Sequence, residues 1–366
     1  MFKKFILILS LFIFGCSGDD IVKASNDASI DSTTDIQMND SSTDVQQNFD
    51  GHLETSFTHL DAGHWDGNFD FKSPSTSPIN YYGGKVMINP IDIYFIYYGD
   101  WSKNKQTQVI LEDLITNLGA SDYWKINAQY YQIGSGINRN LPNGIKPDIL
   151  QDSGIDSSDI KLYATSIIKL AKTFNVEYTH GKSISESEIQ LIIAETLLSN
   201  NLQPNENSIY IVLTSGDVNE GGWWGFGALY CAYHSRVSVN GINIKYAFVG
   251  DMSLRFEDAC SVRSAYEESG FANSPNGDWS ADEMASTLIH ELSEISNDPD
   301  PFIPYIAWQN ADGYESADNC AWVYSQLYIT NNNSVANVRI GNRDFLIQEL
   351  WDINLPDGGQ GCALFH

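Results

Sequence analysis

The run Ser208-Ile-Tyr-Ile-Val-Leu-Thr214 carries no charged residue and only one polar group between its ends. A short apolar run of this kind reads as a strand buried within a sheet. Ile91-Asp-Ile-Tyr-Phe-Ile-Tyr-Tyr98, rich in β-branched and aromatic residues, reads as a second strand, and the alternating Ile242–Val249 as a third. Helical patterns lie between them. Ser102 caps a stripe of Ile110, Leu111, Leu114, Ile115 and Leu118, which Gly119 ends. Ser121–Gln132 reads as a second helical piece. Ser157 or Ser158 opens a further helix with Ile160, Tyr163, Ala164, Ile167, Ile168, Leu170 and Ala171 inside it. Ser185-Glu-Ser-Glu188 fits a capping box ahead of Ile189, Ile192, Ile193 and Leu197, and Ser280-Ala-Asp-Glu283 fits another. Helices alternating with apolar strands predict an α/β fold: a single domain with a mixed central sheet flanked by helices, spanning 76–366.

The start of the chain reads differently. Lys3 and Lys4 precede the apolar run Phe5–Phe14, too short to span a bilayer, and Gly15-Cys16 follows. This predicts an export signal over 1–15 with a bacterial lipobox, leaving Cys16 as the lipidated first residue. Ser17 after the cysteine points to the outer membrane or cell surface, and a secreted form is the alternative. Residues 16–75 are dominated by Asp, Ser, Thr, Asn and Gln, and too few of them are apolar to offset the entropy of ordering. They read as a disordered tether. The only membrane contact expected is the lipid anchor.

Twenty basic against 47 acidic residues give a net charge of -27, which excludes an electrostatic nucleic-acid binder. With Cys16 lipidated, Cys231, Cys260, Cys320 and Cys362 remain. An even number in an exported chain predicts two disulfides, and spacing alone allows three pairings.

Leu288-Ile-His-Glu-Leu-Ser-Glu294 resembles the His-Glu-x-x-His metallopeptidase signature with glutamate in the second histidine's place. Residues four apart share a helix face, so His290 and Glu294 can hold one metal ion. Glu291, one step round, suits a general base toward water. Asp298 lies a turn further, before Pro299, and Glu315 and Asp318 lie beyond. These three acids are the candidates to complete the ligand set. Gly221–Tyr230 is a glycine-rich loop whose Trp223, Trp224, Phe226 and Tyr230 either stack on a glycan or pack on the core. Gly181-Lys182-Ser183 lacks the preceding glycine of a phosphate loop and is set aside. Cys231-Ala-Tyr-His234 pairs a thiol with a histidine, but an exported thiol is expected to be oxidised.

The order of segments resembles the EXORDIUM family, also called phosphate-induced proteins, over about residues 80–366. The segments are Tyr81-Tyr-Gly-Gly-Lys-Val, the strand ending Tyr97-Tyr-Gly, Tyr123-Trp124, Tyr130-Tyr131, Gly181–Ile189, Ile211–Val218, Cys231-x-x-His234, Tyr246–Gly250, Ser274–Asp278, the region of Cys320, and Cys362. The family is extracellular, so the resemblance implies a location more than a reaction. The plant pattern has a small, apolar helix where this chain has His-Glu-x-x-Glu. Here the sequence looks more like microbial relatives that combine that motif with Asp298-Pro299, Trp308 and Glu315 to Cys320. The resemblance implies Cys231–Cys260 and Cys320–Cys362 as the disulfide pairs. The expectation is an exported protein holding one divalent metal ion, zinc ahead of calcium, and hydrolysing an extracellular peptide or similar polymer. The alternative is a non-catalytic binder of a glycan or cell-wall polymer, with a structural metal or none.

Overall fold

The computed structural model describes residues 68–70, 74–134, 160–222, 225–253 and 260–365. The signal segment, Cys16 and most of the tether lie outside these residues, as do Trp223 and Trp224. Among the described residues no helix is long and apolar enough to cross a membrane.

The expected mixed sheet is present. Its five strands are β1 (Ile91–Tyr98), β2 (Ile168–Val176), β3 (Ser208–Thr214), β4 (Ala232–Val239) and β5 (Ile242–Gly250), in the order β4-β5-β3-β1-β2. β5, β3, β1 and β2 run parallel, and β4 returns antiparallel along β5. β3 is buried along its whole length, as its apolar run requires.

Side chains alternate across a strand, so each strand supplies two cores. Ile93, Phe95 and Tyr97 of β1, Ile209, Ile211 and Leu213 of β3, and Ala247 and Val249 of β5 enter one cluster. That cluster also takes α1 (Lys105–Leu118) and a later helix, Trp279–Asn297, which carries the His-Glu-x-x-Glu motif. Ile96, Tyr98, Tyr210, Val212, Tyr246 and Phe248 face the other way, where Ile189, Ile192, Ile193 and Leu197 of α2 (Glu186–Ser199) cover them. The helix Trp279–Asn297 is hereafter α3.

The N-cap of α1 is Asn104 rather than Ser102. Three further local expectations change. Residues around Ile160–Ala171 are not helical; Lys161–Tyr163 is a short strand and β2 begins at Ile168. The apolar spacing imitates a helical stripe, but β1 offers a parallel partner along its length, and that pairing prevails. Lys169 and Lys172 then lie on an edge strand, where charge suits the exposed rim. The second change concerns Ser280-Ala-Asp-Glu283. It is not the cap of α3: Asp278 is the N-cap, its side chain accepting from the Ala281 amide at 3.1 Å. Third, Ser121–Gln132 holds a 3-10 helix, Trp124–Gln129, and then turns into a strand, Tyr131–Ile133. The Ser185 capping box forms as expected, with Glu188 accepting from the Ser185 amide at 2.7 Å. Within the stretch read as tether, Asn68–Asp70 pairs with Val323–Ser325.

After α3 the chain is held by small pieces. Trp308–Gln309 pairs with Asn80–Tyr81, and the Gly84 amide donates to the Ile306 carbonyl at 2.9 Å. A Cβ on Gly84 would lie 1.9 Å from the Tyr305 carbonyl oxygen, so this crossing requires glycine. Cys231–Cys260 and Cys320–Cys362 are the disulfides, as the family resemblance implied. The second spans 42 residues and ties the 3-10 turn Asp318–Cys320 to the C-terminal strand Gly361–Ala363. Closing a loop of that length restricts the unfolded chain by about 4 kcal/mol. Cys320→Ser with Cys362→Ser should therefore lower the free energy of unfolding by about 2–4 kcal/mol. A urea midpoint unchanged from the parent would contradict this.

Candidate metal centre

α3 is buried along almost its entire length, although its exposed-type residues include His290, Glu291 and Glu294. One side meets β4 and β5; the other meets the 3-10 turn Asp318–Cys320 and the segment around Gln348. The helix thus delivers its polar residues into protein rather than water, where each needs a partner.

Three segments converge there. From α3 come His290, Glu291 and Glu294. From β4 comes His234, on the strand face that also carries Ala232 into the α3 core. Glu315 and Asp318 come from the turn after Trp308. Asn310 shapes that turn, its side-chain oxygen accepting from the Asp312 and Tyr314 amides at 2.9 and 3.0 Å. Asp318 then accepts from the Glu315 amide through Oδ2 at 3.1 Å, which leaves Oδ1 toward His290.

His290 Nε2 lies 3.4 Å from Glu294 Oε2 and 3.5 Å from Asp318 Oδ1. On the other side of the same Glu294 oxygen, His234 Nε2 lies 3.6 Å away, and Glu315 Oε2 is 3.2 Å from that nitrogen. Glu294 Oε1 is occupied separately, accepting from the Asp318 amide at 3.1 Å. Two groups of three bring their donor atoms within 4.8 Å of one another: His290, Glu294 and Asp318, and His234, Glu291 and Glu294.

These separations bear on what the cluster fits. Good hydrogen bonds between nitrogen and a carboxylate oxygen run at about 2.7–3.2 Å. Two ligands of one tetrahedral zinc, each bonded at about 2.0–2.2 Å, stand roughly 3.3–3.6 Å apart. The contacts of Glu294 with both imidazoles, and of Asp318 with His290, fall in the second range. The donor set fits a divalent ion.

Electrostatics point the same way. Burial alone would push the His290 imidazole down, but the adjacent Glu294 and Asp318 carboxylates overcome it and hold its pKa well above the ordinary histidine value. Burial would raise Glu294, yet His290 and His234 pull it down to about 2. The cluster therefore favours positive charge at its centre, and without an ion a proton on His290 supplies it.

His290 is aimed from behind. Its Nδ1 lies 3.2 Å from Gln348 Oε1, and Gln348 Nε2 donates to the Ala317 carbonyl at 2.9 Å. That second bond fixes which end of the amide faces the ring, so Nδ1–H donates and Nε2 is the nitrogen presented to the carboxylates. The Gln348 backbone is itself held, with its carbonyl accepting from the Tyr123 hydroxyl at 2.8 Å.

The structure thus brings together His290, Glu291, Glu294, Glu315 and Asp318 of the expected set. Asp298 stands apart. It is outside both groups, and its Oδ1 accepts from the Ala307 amide at 2.8 Å, closing the loop that follows α3. In this structure Asp298 anchors a loop. Sequence reasoning missed His234, which it read only as the neighbour of a thiol. The signal was Asn240-Gly241, both at positive φ, between two alternating runs. That pair marks a tight hairpin, which would have placed His234 on a strand beside β5.

The loop proposed to stack on a glycan is altered as well. Phe226 is buried edge-on against Phe248, so it cannot meet a sugar ring. Tyr230 is half-buried, packs against Tyr233 and donates its hydroxyl to Glu220. Trp223 and Trp224 fall outside the described residues.

Because Gln348 sets the tautomer of His290, Gln348→Leu should weaken zinc binding roughly 10–100-fold, the usual effect of losing such a support. Gln348→Glu keeps the acceptor toward Nδ1 but sets a carboxylate oxygen against the Ala317 carbonyl, so it should recover only part of the affinity. Competition with a chromogenic chelator reads both. Equal affinity in the leucine variant and the parent would remove Gln348 from the site.

The family profile described as "Phosphate-induced protein 1 conserved region" matches residues 79–357, which include every residue of the cluster. Two Arabidopsis thaliana proteins are similar along most of the chain. Protein EXORDIUM-like 5 is 24% identical over 306 residues, covering 76% of this chain and 76% of its own. Protein EXORDIUM-like 3 is 27% identical over 300 residues, covering 75% and 80%. No solved structure matches the chain. A profile that spans the sheet, α3 and the turn carrying Glu315 and Asp318 places this chain in the phosphate-induced protein 1 family, with the EXORDIUM-like proteins.

Proposed function

We propose that this protein is an exported, lipid-anchored member of its family that binds a divalent ion, zinc ahead of calcium, and hydrolyses a peptide or similar bond in an extracellular polymer. The observation that carries the reading is the convergence of His290, Glu294 and Asp318 at separations too long for good hydrogen bonds and right for shared ligation. An imidazole in the set favours zinc over calcium, which prefers oxygen alone. Three protein ligands leave room for substrate or water, as hydrolytic zinc sites do.

In such a site the ion supplies Lewis acidity toward a carbonyl and toward water. The protein's own residues do the rest. Glu291 is buried, 4% exposed, and shares a group with Glu294 and His234, so it is the carboxylate available to accept a proton in a one-ion reaction. The outer side of the cluster is the more open one, with the side chains of His290 and Asp318 exposed by 11% and 14%. Substrate enters there. Polymer binding through the Gly221–Tyr230 loop gains no support from Phe226, which belongs to the core.

Elemental mass spectrometry of the folded full chain should find bound zinc, lost in His290→Ala/Glu294→Ala. Glu291→Gln should keep the ion held by His290 and lose peptidase or related hydrolase activity at least 100-fold, the scale of a general base. Zinc absent from the parent even after zinc is added would sink the metal reading. Hydrolysis unchanged in Glu291→Gln would remove its role as base.

A pH dependence follows from His290. Its raised pKa means that zinc must displace a proton, so zinc affinity should rise with pH between about 6 and 8. Isothermal titration in buffers of different ionisation enthalpy should show proton release. Affinity independent of pH would contradict a protonated His290 in the metal-free protein.

A further inference from the structure

We propose that the centre takes two divalent ions of the zinc or manganese class. The second lies between His234, Glu291 and Glu294, and Glu294 is shared. This rests on His290, Glu294 and Asp318 as the first ion's ligands.

Three observations carry it. The first is geometric. The two histidines fall in different groups, and Glu294 is the one residue common to both. A single oxygen, Glu294 Oε2, stands 3.4 Å from His290 Nε2 and 3.6 Å from His234 Nε2. Each distance is that expected between two ligands of one ion. One carboxylate oxygen between two imidazoles is placed to bridge ions roughly 3.5–4 Å apart, the spacing of two-ion hydrolytic sites.

The second is charge. Four carboxylates, Glu291, Glu294, Glu315 and Asp318, surround two imidazoles in a buried cluster. With neutral imidazoles the six side chains carry four negative charges. One divalent ion leaves half of that uncompensated in a region of low polarisability, and two neutralise it. Two basic side chains on the same sheet face, Arg236 and Lys245, are directed to Asp300 at 3.2 and 3.9 Å.

The third is the chemistry and burial of each position. Each has one imidazole, which selects transition ions over calcium. The inner position is closed, with His234 and Glu315 both 1% exposed. Glu315, 3.2 Å from His234 Nε2, is within hydrogen-bond distance of that imidazole and lies outside the three-residue group. The inner ion is thus the slowly exchanging one, and the outer ion, beside His290 and Asp318, faces substrate. With the inner ion in place Glu291 becomes its ligand, so the one-ion and two-ion forms differ in whether that carboxylate can accept a proton.

The test is stoichiometry on the folded full chain, dialysed against micromolar zinc. Two equivalents are expected in the parent and one in each of His234→Ala and His290→Ala, with near-complete loss in Glu294→Ala. Loading with manganese(II) should give the exchange-coupled electron paramagnetic resonance signal of a close pair, which needs no variant. A single equivalent in the parent, with only an isolated-ion manganese signal, overturns the second ion; loss of that equivalent in His290→Ala then leaves the one-ion reading standing. If each of the two histidine variants abolishes that equivalent, one ion uses both histidines, and the second is again excluded. No zinc in the parent after loading overturns both readings.

Discussion

A helix enclosed by protein on every side has no solvent into which its polar residues can turn. Every residue of α3 from Ser280 to Asn297 except Thr287 is buried, yet the helix includes three glutamates, a histidine, four serines and an asparagine. Most of them need a partner, because a buried polar group without one costs about 1–3 kcal/mol, and the Ser296 hydroxyl is left without a hydrogen bond. Much of the surrounding structure answers that demand. Ser261 serves Glu283, and Asn127 accepts from Ser293 and Asn297 at 2.7 and 3.2 Å. Asn297 in turn accepts from Ser316 at 3.1 Å. The cluster around His290 and Glu294 is the portion of this network in which charged groups outnumber neutral ones.

The network explains why the site is built from remote segments. β4, the turn after Trp308 and the stretch around Gln348 have no reason to meet in sequence. They meet because the sheet fixes one side of α3, while the Cys320–Cys362 disulfide and the Asn80–Tyr81 strand hold the other. The aromatic cluster of Tyr81, Tyr130, Tyr131 and Trp308 fills the space beneath that turn. It gives the acidic turn a rigid floor instead of a mobile loop.

How much of this could be read in advance depended on whether the information was local. β1, β3 and β5 were legible because their apolar runs are short and sharply bounded. The Ser185 helix start was legible because a capping box lies within four residues. His290, Glu291 and Glu294 were legible as one face of one helix. Ile160–Ala171 misled because apolar spacing on an edge strand imitates a helical stripe, and the partner that decides the matter, β1, lies some 70 residues earlier. Asp298 looked like a ligand by spacing alone. The loop it anchors was invisible until Ala307 was seen to fold back onto it. His234 needed the hairpin to be recognised first, since one histidine beside a cysteine carries no direction. Phe226 shows the converse error: an aromatic residue among glycines looks exposed, while Gly250 makes the space that buries it.

The glutamate at position 294 can now be set against the histidine of the signature it resembles. Its two oxygens do different work, one facing both imidazoles and the other accepting the Asp318 amide. A neutral imidazole that gives one nitrogen to an ion carries a proton on the other, and so can donate there but cannot accept. A histidine at 294 would complete the familiar motif and release the turn that carries Asp318. The motif of this chain is therefore not a weakened copy of the two-histidine one. It is a different solution, in which a single side chain both faces the two imidazoles and holds the Asp318 turn in place.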